Sequence, residues 1–450
     1  MSKRLWDKGQ ELNKQVHAFT VGSDYLLDAR LAAFDAAASA AHARMLLKIE
    51  ILTVEECLRL IPILKEIYTE SRAGSFTVPP ELEDCHSAIE ARLCEQLGDC
   101  GKKIHTGRSR NDQVLAALRL FMREQIVRHQ EQLLDLAKVL MRRAEEAIGR
   151  PFPGYTHMRR AMPTSLATQL FSYAQYALSL IKDGLHLLEG INWNPLGVGA
   201  GFGVPLELDR EMTGALLGFD AVQPNPIFVQ STRGREELKF LNWLVDSSTL
   251  TEKMAVDLML FSTAEFGLAE MPVKFTTGSS IMPQKRNPDV LELLRAQASR
   301  QRAHRTELEG LVSKLPSSYH RDYQYTKEPL FRAAEQSAES LAVLCLLIED
   351  IQFNREAAEA YFGPEIFSTH YAYELVSKGV PFRDAYTEAA SAIEQGLIDV
   401  PKMMAKFLEL ESARNRLELK QIAELAVDIG TKVATCSESH CAALTKVFEG

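Results

Sequence analysis

The sequence has little that would place it in a membrane, in an oxidising compartment or on nucleic acid. Its 450 residues contain no run of about 18 uncharged apolar residues, so no membrane-spanning helix is predicted. The opening stretch, MSKRLWDKGQ, lacks the apolar segment of a secretory signal, so a cytoplasmic location is expected. The seven cysteines form no CxxC pair, and their odd number fits reduced thiols. A net charge of −9 without a long basic run disfavours nucleic acid and anionic membranes as partners.

The sequence signatures of several enzyme classes are also missing. No GxSxG motif surrounds Ser279, so a triad-type hydrolase is not expected. No HExxH motif or paired Cys and His spacing predicts zinc, and no GxxxxGK[ST] or GxGxxG motif predicts a nucleotide-phosphate site. The sequence therefore predicts neither a metal nor an organic cofactor.

Helical periodicity dominates the sequence that is present. The span 235–271 contains no proline and one glycine, and as a single helix it would be about 55 Å long. Further long helices are predicted from Val114 to near Gly149, after Pro163 and after Pro288. Strand signals are scarce by comparison. The sequence therefore predicts an all-α protein.

The predicted helices group into three segments. Shorter helices occupy 1–110, the long helices fill 111–362, and a smaller helical segment follows at 363–450. Long apolar stripes are not left in water, so the long helices must pack against one another or against another subunit. We therefore expect three helical domains whose long central helices form a bundle within an oligomer.

Three segments between the predicted helices are crowded with polar groups. They are HTGRSRND at 105–112, GYTHMRRAMP at 154–163 and GSSIMPQKRNP at 278–288. Helix capping explains part of each, because Asn287 followed by Pro288 fits a cap with proline at the first helical position. Capping does not explain Arg110 and Lys285, since cations are mildly unfavourable at a helix N-terminus. A bound anion would remove that conflict.

Hydroxyls, an imidazole and fixed cations suit proton abstraction next to a carboxylate. Negative charge builds on the carboxylate in such a transition state, and cations directed at it accelerate the reaction. A serine becomes a base only if its alkoxide is stabilised, which Lys285 and the helix start near Pro288 can provide for Ser279. Taken alone, Ser279 also fits an ordinary loop residue, and His157 also fits a structural histidine.

These segments together resemble a known family. GSSIMPQKRNP resembles the GSSxMPxKxNP loop of the fumarase/aspartase superfamily, and HTGRSRNDQ at 105–113 and GYTH at 154–157 are similar to the argininosuccinate lyases within it. The similarity extends over most of the chain. It implies three all-α domains and a homotetramer in which each active site is built from three subunits. It also implies anti elimination of argininosuccinate to arginine and fumarate, for arginine biosynthesis, through a carbanion held as an aci-carboxylate.

The resemblance implies specific roles in proton abstraction. Ser279 would be the base that removes the succinyl Cβ proton. Lys285 and Asn287 would hold the carboxylate that gathers negative charge. Arg286 stands where the family usually has a lysine.

The resemblance also implies a second set of residues, which act on the nitrogen that leaves. His157, with Thr156 beside it, would protonate or position the guanidinium nitrogen that leaves. Glu292 would pair with His157. Met158 and Arg159 stand where the family usually has Leu-Gln.

The remaining matched residues are implied to bind substrate. Arg110 and Asn111 would hold the succinyl end. Asp84 would face the guanidinium, with His86 close by as a weaker candidate. Ser23, in FTVGSDYLLD, is matched to the family's substrate serine, although this stretch is about two residues longer than usual.

The arginine part of the substrate is matched to a later segment. Tyr319, Gln324 and Lys327 would hold that part or its carboxylate. Tyr325 and Thr326 stand where the family usually has an acidic pair. These departures affect predicted substrate contacts and leave the proposed base, lysine and histidine in place.

Three alternatives stay open from the sequence. One is a sibling lyase acting on another succinyl adduct, such as adenylosuccinate, although no nucleobase or phosphate motif is present. A second is a catalytically silent structural homologue, like the lens crystallins derived from this family. A third is a helical scaffold or binding module, which would leave Ser279 and His157 unexplained.

Overall fold

The computed structural model describes residues 13–449. The opening stretch at 1–10, where no secretory signal is expected, lies outside the described residues. Helices dominate the described chain and its strands are short, which confirms the predicted all-α class. The α-helices are α1 Lys14–Val21, α2 Asp24–Asp28, α3 Ala32–Lys48, α4 Val54–Arg72, α5 Cys85–Leu97, α6 Asp99–Lys102, α7 Arg110–Glu146, α8 Leu166–Ile191, α9 Arg210–Leu216, α10 Pro226–Ser231, α11 Arg235–Phe261, α12 Asp289–Val312, α13 Lys327–Asp350, α14 Arg355–Ala360, α15 Ser368–Ser377, α16 Phe382–Glu394 and α17 Val400–Lys446.

The strands form small two-stranded pairs between the helices. Three pairs are antiparallel, β1 with β2, β5 with β8 and β6 with β7, while β3 and β4 are parallel. Their bounds are β1 Pro151–Thr156, β2 Arg159–Ser165, β3 Trp193–Asn194, β4 Ala221–Val222, β5 Ala269–Glu270, β6 Thr277–Gly278, β7 Arg286–Asn287 and β8 Gln352–Phe353. Short 3-10 helices lie at Pro80–Leu82, Lys103–His105, Val273–Phe275, Arg321–Thr326 and Pro364–Phe367.

A reciprocal cap fixes the start of α7. Ser109 Oγ accepts the Asn111 backbone N–H at 3.3 Å, and the Asp112 carboxylate accepts the Ser109 backbone N–H at 2.8 Å. From this cap the helix continues for 37 residues, about 55 Å. The long helix predicted in this region is therefore confirmed, and its cap lies within the polar segment at 105–112.

The breaker-free span 235–271 forms a shorter helix than predicted. α11 ends at Phe261 after 27 residues, about 40 Å. The hydroxyls of Ser262 and Thr263 donate to main-chain carbonyls three residues earlier, at 3.1 and 3.0 Å. Such bonds compete with the helical pattern, and the chain then leaves the helix to form β5.

Side-chain contacts between the long helices define their directions. Residue numbers run in opposite senses across the α7–α8, α8–α11 and α11–α12 contacts, so these pairs are antiparallel, whereas α13 runs parallel to α7. The contacts are Arg119–Ile191 and Gln130–Ile181 for α7–α8, Tyr173–Asp257 and Tyr176–Asp246 for α8–α11, Arg302–Glu252 and Arg305–Asn242 for α11–α12, and Gln132–Ala338 and Arg142–Glu349 for α7–α13.

Different helices therefore begin at the two ends of the bundle. Helices α7, α11 and α13 begin at one end, called here the Arg110 end. Helices α8 and α12 begin at the opposite end, called here the Asp289 end. Because α12 has 24 residues, it holds its two ends about 36 Å apart.

The C-terminal helix α17 runs along the whole bundle. About a third of the way along it, Asn415 Oδ1 accepts the Ser165 hydroxyl at 2.9 Å, beside the first residue of α8. Just past its end, the Val447 carbonyl accepts Arg44 Nε at 2.8 Å. A separate small hydrophobic cluster, which includes Phe367 and Phe407, joins the segment before this helix to the first turns of the helix itself. Between residues 13 and 449, no helix combines the length and apolarity that crossing a membrane requires.

Close packing at Gly184 yields a stability prediction. A Cβ at Gly184 would lie 2.7 Å from Trp243 Cζ2 and 2.9 Å from Gln130 Nε2, and both side chains are buried and hydrogen-bonded to main-chain carbonyls. We expect Gly184→Ala to lower the free energy of unfolding by about 1–3 kcal/mol, although alanine favours helix. Chemical denaturation measures this change.

The matched control is Gly310→Ala in α12. Apart from its own stretch of helix, no heavy atom of residues 13–449 lies within 4 Å of the added Cβ at Gly310. Helix propensity alone then applies, and this variant should be as stable as the wild type or slightly more stable. Equal stability changes in the two variants would contradict the packing explanation.

Candidate active site

A polar cavity of about 170 Å³ lies at the Arg110 end of the bundle. It brings together residues from distant parts of the sequence, namely the start of α5, the start of α7 and the segment before α13. The residues predicted to bind substrate that line it are Asp84, Arg110, Asn111, Tyr319, Gln324 and Lys327. The weaker candidate His86 also lines it. The structure thus places most of the predicted substrate-binding residues in one cavity.

Lys327 lies at the centre of a buried charge cluster. Its Nζ is 2.5 Å from Asp24 Oδ1 and 2.5 Å from Asp28 Oδ1. Burial opposes the charged ammonium, but the two carboxylates outweigh it and raise the pKa of Lys327. Burial also raises the pKa of Asp24, to about 6, despite the opposing effect of Lys327. Lys327 therefore holds α2 against α13 and is already paired with carboxylates.

Ser23 lies next to this cluster and just before α2. The cavity is lined by its neighbour Asp24, with Asp28 one helical turn further on. The role of Ser23 stays a prediction. Sequence reasoning missed both aspartates, although their four-residue spacing places them on one face of a helix.

Asp84 and Arg110 connect two helix starts at the cavity. Asp84 caps α5 by accepting the Ser87 backbone N–H at 2.8 Å, and its second oxygen is 3.1 Å from Arg110 Nη1. Arg110 Nη2 also donates to the Ser87 hydroxyl at 2.6 Å. The pair fixes the starts of α5 and α7 relative to each other.

Gln324 is bonded to the backbone that borders the cavity. Its Nε2 donates to the carbonyls of Thr20 and Val21, at 3.1 and 3.2 Å, and Arg321 Nη2 donates to Thr20 at 3.0 Å. These bonds pair carbonyls at the C-terminal end of α1. Gln324 therefore has a structural contact in addition to its place in the cavity.

Three potential metal ligands, Asp28, Cys85 and His86, have ligand atoms within 4.8 Å of one another at the wall of the cavity. The Asp28 carboxylate is already ion-paired with Lys327, and burial raises the pKa of Cys85 well above its usual range. A metal site needs a thiolate and a neutral imidazole, and both are disfavoured here. The group is better explained as part of the buried charge cluster.

The predicted base, Ser279, lies in a loop at the Asp289 end. Strands β6 and β7 close this loop by pairing Thr277 with Asn287 and Gly278 with Arg286. Ser279 Oγ accepts the backbone N–H groups of Ile281 and Met282, at 3.3 and 3.1 Å.

Lys285, Asn287 and Glu292 belong to the same end of the bundle. Lys285 and Glu292 are exposed, and Asn287 is half-buried. Asn287 Nδ2 donates to the Gly278 carbonyl at 3.5 Å, which is a weak contact across the strand pair.

Thr156 and His157 lie at the tip of the β1–β2 hairpin, which the sequence did not predict. His157 and Met158 have φ values of 51° and 57°, so the two-residue turn is left-handed as a tight hairpin requires. Both Thr156 and His157 are exposed, and no ion pair within residues 13–449 joins His157 to Glu292.

The hairpin is anchored at the Asp289 end. Phe152 packs on Phe261 with ring centroids 5.1 Å apart, and Tyr155 packs near Phe266 at 5.6 Å. Phe261 is the last residue of α11, and Phe266 follows the end of that helix. The predicted catalytic residues therefore lie at one end of the bundle and the predicted substrate-binding cavity lies at the other.

Comparison with known sequences identifies the class of this chain. A family model described as lyase matches residues 11–301. Argininosuccinate lyase of Thermotoga neapolitana is 42% identical over 394 residues, which cover 87% of this chain and 98% of the relative. Argininosuccinate lyase of Stenotrophomonas maltophilia is 42% identical over 398 residues, which cover 88% and 91%. The chain is therefore a lyase and belongs to the argininosuccinate lyase family.

Solved structures agree with this fold. An EDDS lyase variant with bound fumarate superposes with a TM-score of 0.75 at 21% identity, covering 98% of this chain and 97% of that one. The class II fumarase of Schistosoma mansoni gives a TM-score of 0.73 at 18% identity, covering 88% and 94%. At these identities the likeness establishes the shared fold alone.

The buried pair of His86 and Asp35 predicts a pH dependence of stability. His86 Nδ1 lies 2.9 Å from Asp35 Oδ2. Burial opposes the imidazolium, but the Asp35 carboxylate outweighs it and raises the pKa of His86 to about 9. A raised folded-state pKa stabilises the fold below the unfolded value near 6.5, and the contribution disappears as pH rises through about 9.

We therefore expect a stability advantage of about 3 kcal/mol over His86→Gln below pH 6.5. The advantage should shrink steadily between pH 6.5 and 9. Denaturant unfolding of both proteins across this range measures it. A difference that does not change with pH would mean that His86 is neutral when folded.

Proposed function

We propose that this protein cleaves argininosuccinate to arginine and fumarate, with Ser279 as the base. The family membership supports the reaction. The observation that supports the base is the pair of main-chain N–H groups on Ser279 Oγ, at 3.3 and 3.1 Å. Hydrogen bonds to an anionic oxygen favour the anion, so these donors would stabilise the alkoxide of Ser279.

In the proposed reaction, Ser279 takes a proton from the succinyl Cβ. The electrons left on carbon would delocalise into the adjacent carboxylate, where Lys285 and Asn287 would hold the charge. The C–N bond to the guanidino group then breaks, its electrons go to nitrogen, and the carbon–carbon double bond of fumarate forms. The reaction as proposed uses no metal or organic cofactor.

The leaving nitrogen needs a proton or a positioning group, and the hairpin tip supplies the candidates. His157 and Thr156 are exposed at the two-residue turn of the β1–β2 hairpin. An imidazole can donate a proton near neutral pH. We assign this role to His157, with Glu292 as its partner in the assembled enzyme.

The cavity at the Arg110 end is the proposed substrate-binding site. Arg110 and Asn111 would hold the succinyl carboxylates, and Asp84 would face the guanidinium. Tyr319 and Gln324 would contact the amino-acid part. Lys327 would act mainly by fixing the acidic residues around it.

These two sets of residues can act together only if different chains combine. Within one chain, Ser279 precedes α12, whose ends are about 36 Å apart, and the cavity lies at the opposite end of the bundle. Apolar side chains are exposed at the Asp289 end, with Ile281 at 84% and Met158 at 60%. Another subunit would cover them. We therefore propose a homotetramer in the cytoplasm whose active sites are shared between subunits.

Fumarate absorbs in the ultraviolet, so its release tests the proposal directly. Wild-type protein should release fumarate from argininosuccinate. Ser279→Ala should lower kcat by roughly 10²–10⁴-fold, the range expected for loss of a general base. The matched control is Ser280→Ala, the adjacent serine in the same loop, which should retain most of the activity.

Other outcomes would point elsewhere. Fumarate released from adenylosuccinate in place of argininosuccinate would identify the sibling lyase. Folded protein inactive on both would identify a silent homologue. Full activity in Ser279→Ala would reject Ser279 as the base while leaving the reaction unchanged.

A further inference from the structure

Four arginine and lysine side chains line the cavity at the Arg110 end, and most have protein partners. Arg110 is paired with Asp84, and Lys327 is paired with two aspartates. Arg321 donates to the main-chain carbonyl of Thr20 at 3.0 Å. The remaining cation is Arg233, in the short connection between α10 and α11.

Arg233 is buried, and much of its hydrogen-bonding capacity is unused. Its side chain is 4% exposed, and its Nε and Nη1 have no hydrogen-bond partner among residues 13–449. The guanidinium carbon lies 5.0 Å from the ring centre of Tyr323 and 5.4 Å from that of Tyr319. These rings fix the plane of the guanidinium beside the cavity.

A buried guanidinium with unpaired N–H groups is costly unless an anion joins it. Burial removes water from the charge, and weak contacts with aromatic rings replace only part of that hydration. The forked N–H groups of arginine match a carboxylate, which accepts two parallel hydrogen bonds. The position therefore suits a carboxylate that arrives with the substrate.

Argininosuccinate has carboxylates at both of its ends, and the neighbours of Arg233 select between them. Tyr319, on which it packs, lies with Gln324 and Lys327 on the side assigned above to the amino-acid part. Asp24 lines the same cavity and offers an acceptor for an α-ammonium group. A guanidinium and a carboxylate side chain together match the charges of a free α-amino acid.

We propose that Arg233 binds the α-carboxylate of the amino-acid half and sets the preference for substrates that carry it. This inference rests on the function proposed above for the identity of the substrate. The role differs from that of Lys327, whose charge is already balanced within the protein. Arg233 is therefore a specificity-determining residue in this cavity.

Agmatine, which is arginine without its carboxylate, isolates the proposed contact. Calorimetric titration should show that wild-type protein binds L-arginine roughly 10- to 100-fold more tightly than agmatine, the range for a charge-assisted pair. Arg233→Met should reduce this preference to near one, mainly by weakening arginine binding. Arg233→Gln should give the same direction of change and tests the inference if the methionine variant does not fold.

The matched control is Arg321→Met, which removes another cationic side chain from the same cavity. It should keep the wild-type preference for arginine over agmatine. An equal loss in Arg321→Met would assign the preference to overall charge and overturn the inference. So would an undiminished preference in a folded Arg233 variant, or no preference in the wild type.

Steady-state kinetics separates this inference from the proposed function. Arg233→Met should raise KM for argininosuccinate by at least about tenfold while changing kcat less, because the contact is made before and during the reaction. If wild-type protein releases fumarate and shows no arginine preference, only the role of Arg233 fails. If it releases no fumarate, the proposed function fails, and the binding ratio still decides whether Arg233 holds a carboxylate.

Discussion

The length and direction of α12 determine how an active site can be formed in this protein. A helix of 24 residues keeps its ends about 36 Å apart, and Ser279 precedes one end while the cavity with Asn111 lies at the other. No closure of a loop spans that distance. A catalytic site that uses both ends must therefore be formed by more than one chain, and the exposed apolar side chains around Ser279 fit that arrangement.

The Arg110 end is organised by buried charge. Lys327, which is paired with both Asp24 and Asp28, and His86, which is paired with Asp35, form buried ion pairs that hold α2, α3, α5 and α13 together. Such pairs stabilise little beyond their desolvation cost, but removal of one partner is strongly destabilising. These ion pairs fix the charges around the cavity before substrate arrives, so little reorganisation is needed on binding.

Much of the helical fold could be predicted from the sequence, because helices of this length leave a clear periodic pattern of apolar residues. The cap at Ser109 also follows local rules that one segment carries by itself. The cap expected at Asn287 is wrong, because Asn287 pairs in β7 and Pro288 takes the N-cap position without a side-chain hydrogen bond. The early end of α11 and the hairpin carrying His157 were missed, since hydroxyl contacts and strand pairing overrode the local pattern. Asp24 and Arg233 were missed for another reason: only tertiary packing brings them into the cavity.

The most direct test of a shared site is complementation between two inactive variants. Ser279→Ala and Asn111→Leu would be purified separately, mixed, and allowed to exchange subunits, with exchange verified by differently tagged chains. If the base and the binding cavity come from different subunits, some sites in the mixture contain two intact sets and fumarate release returns. If exchange occurs and activity stays at the level of the separate variants, the site is not formed between chains.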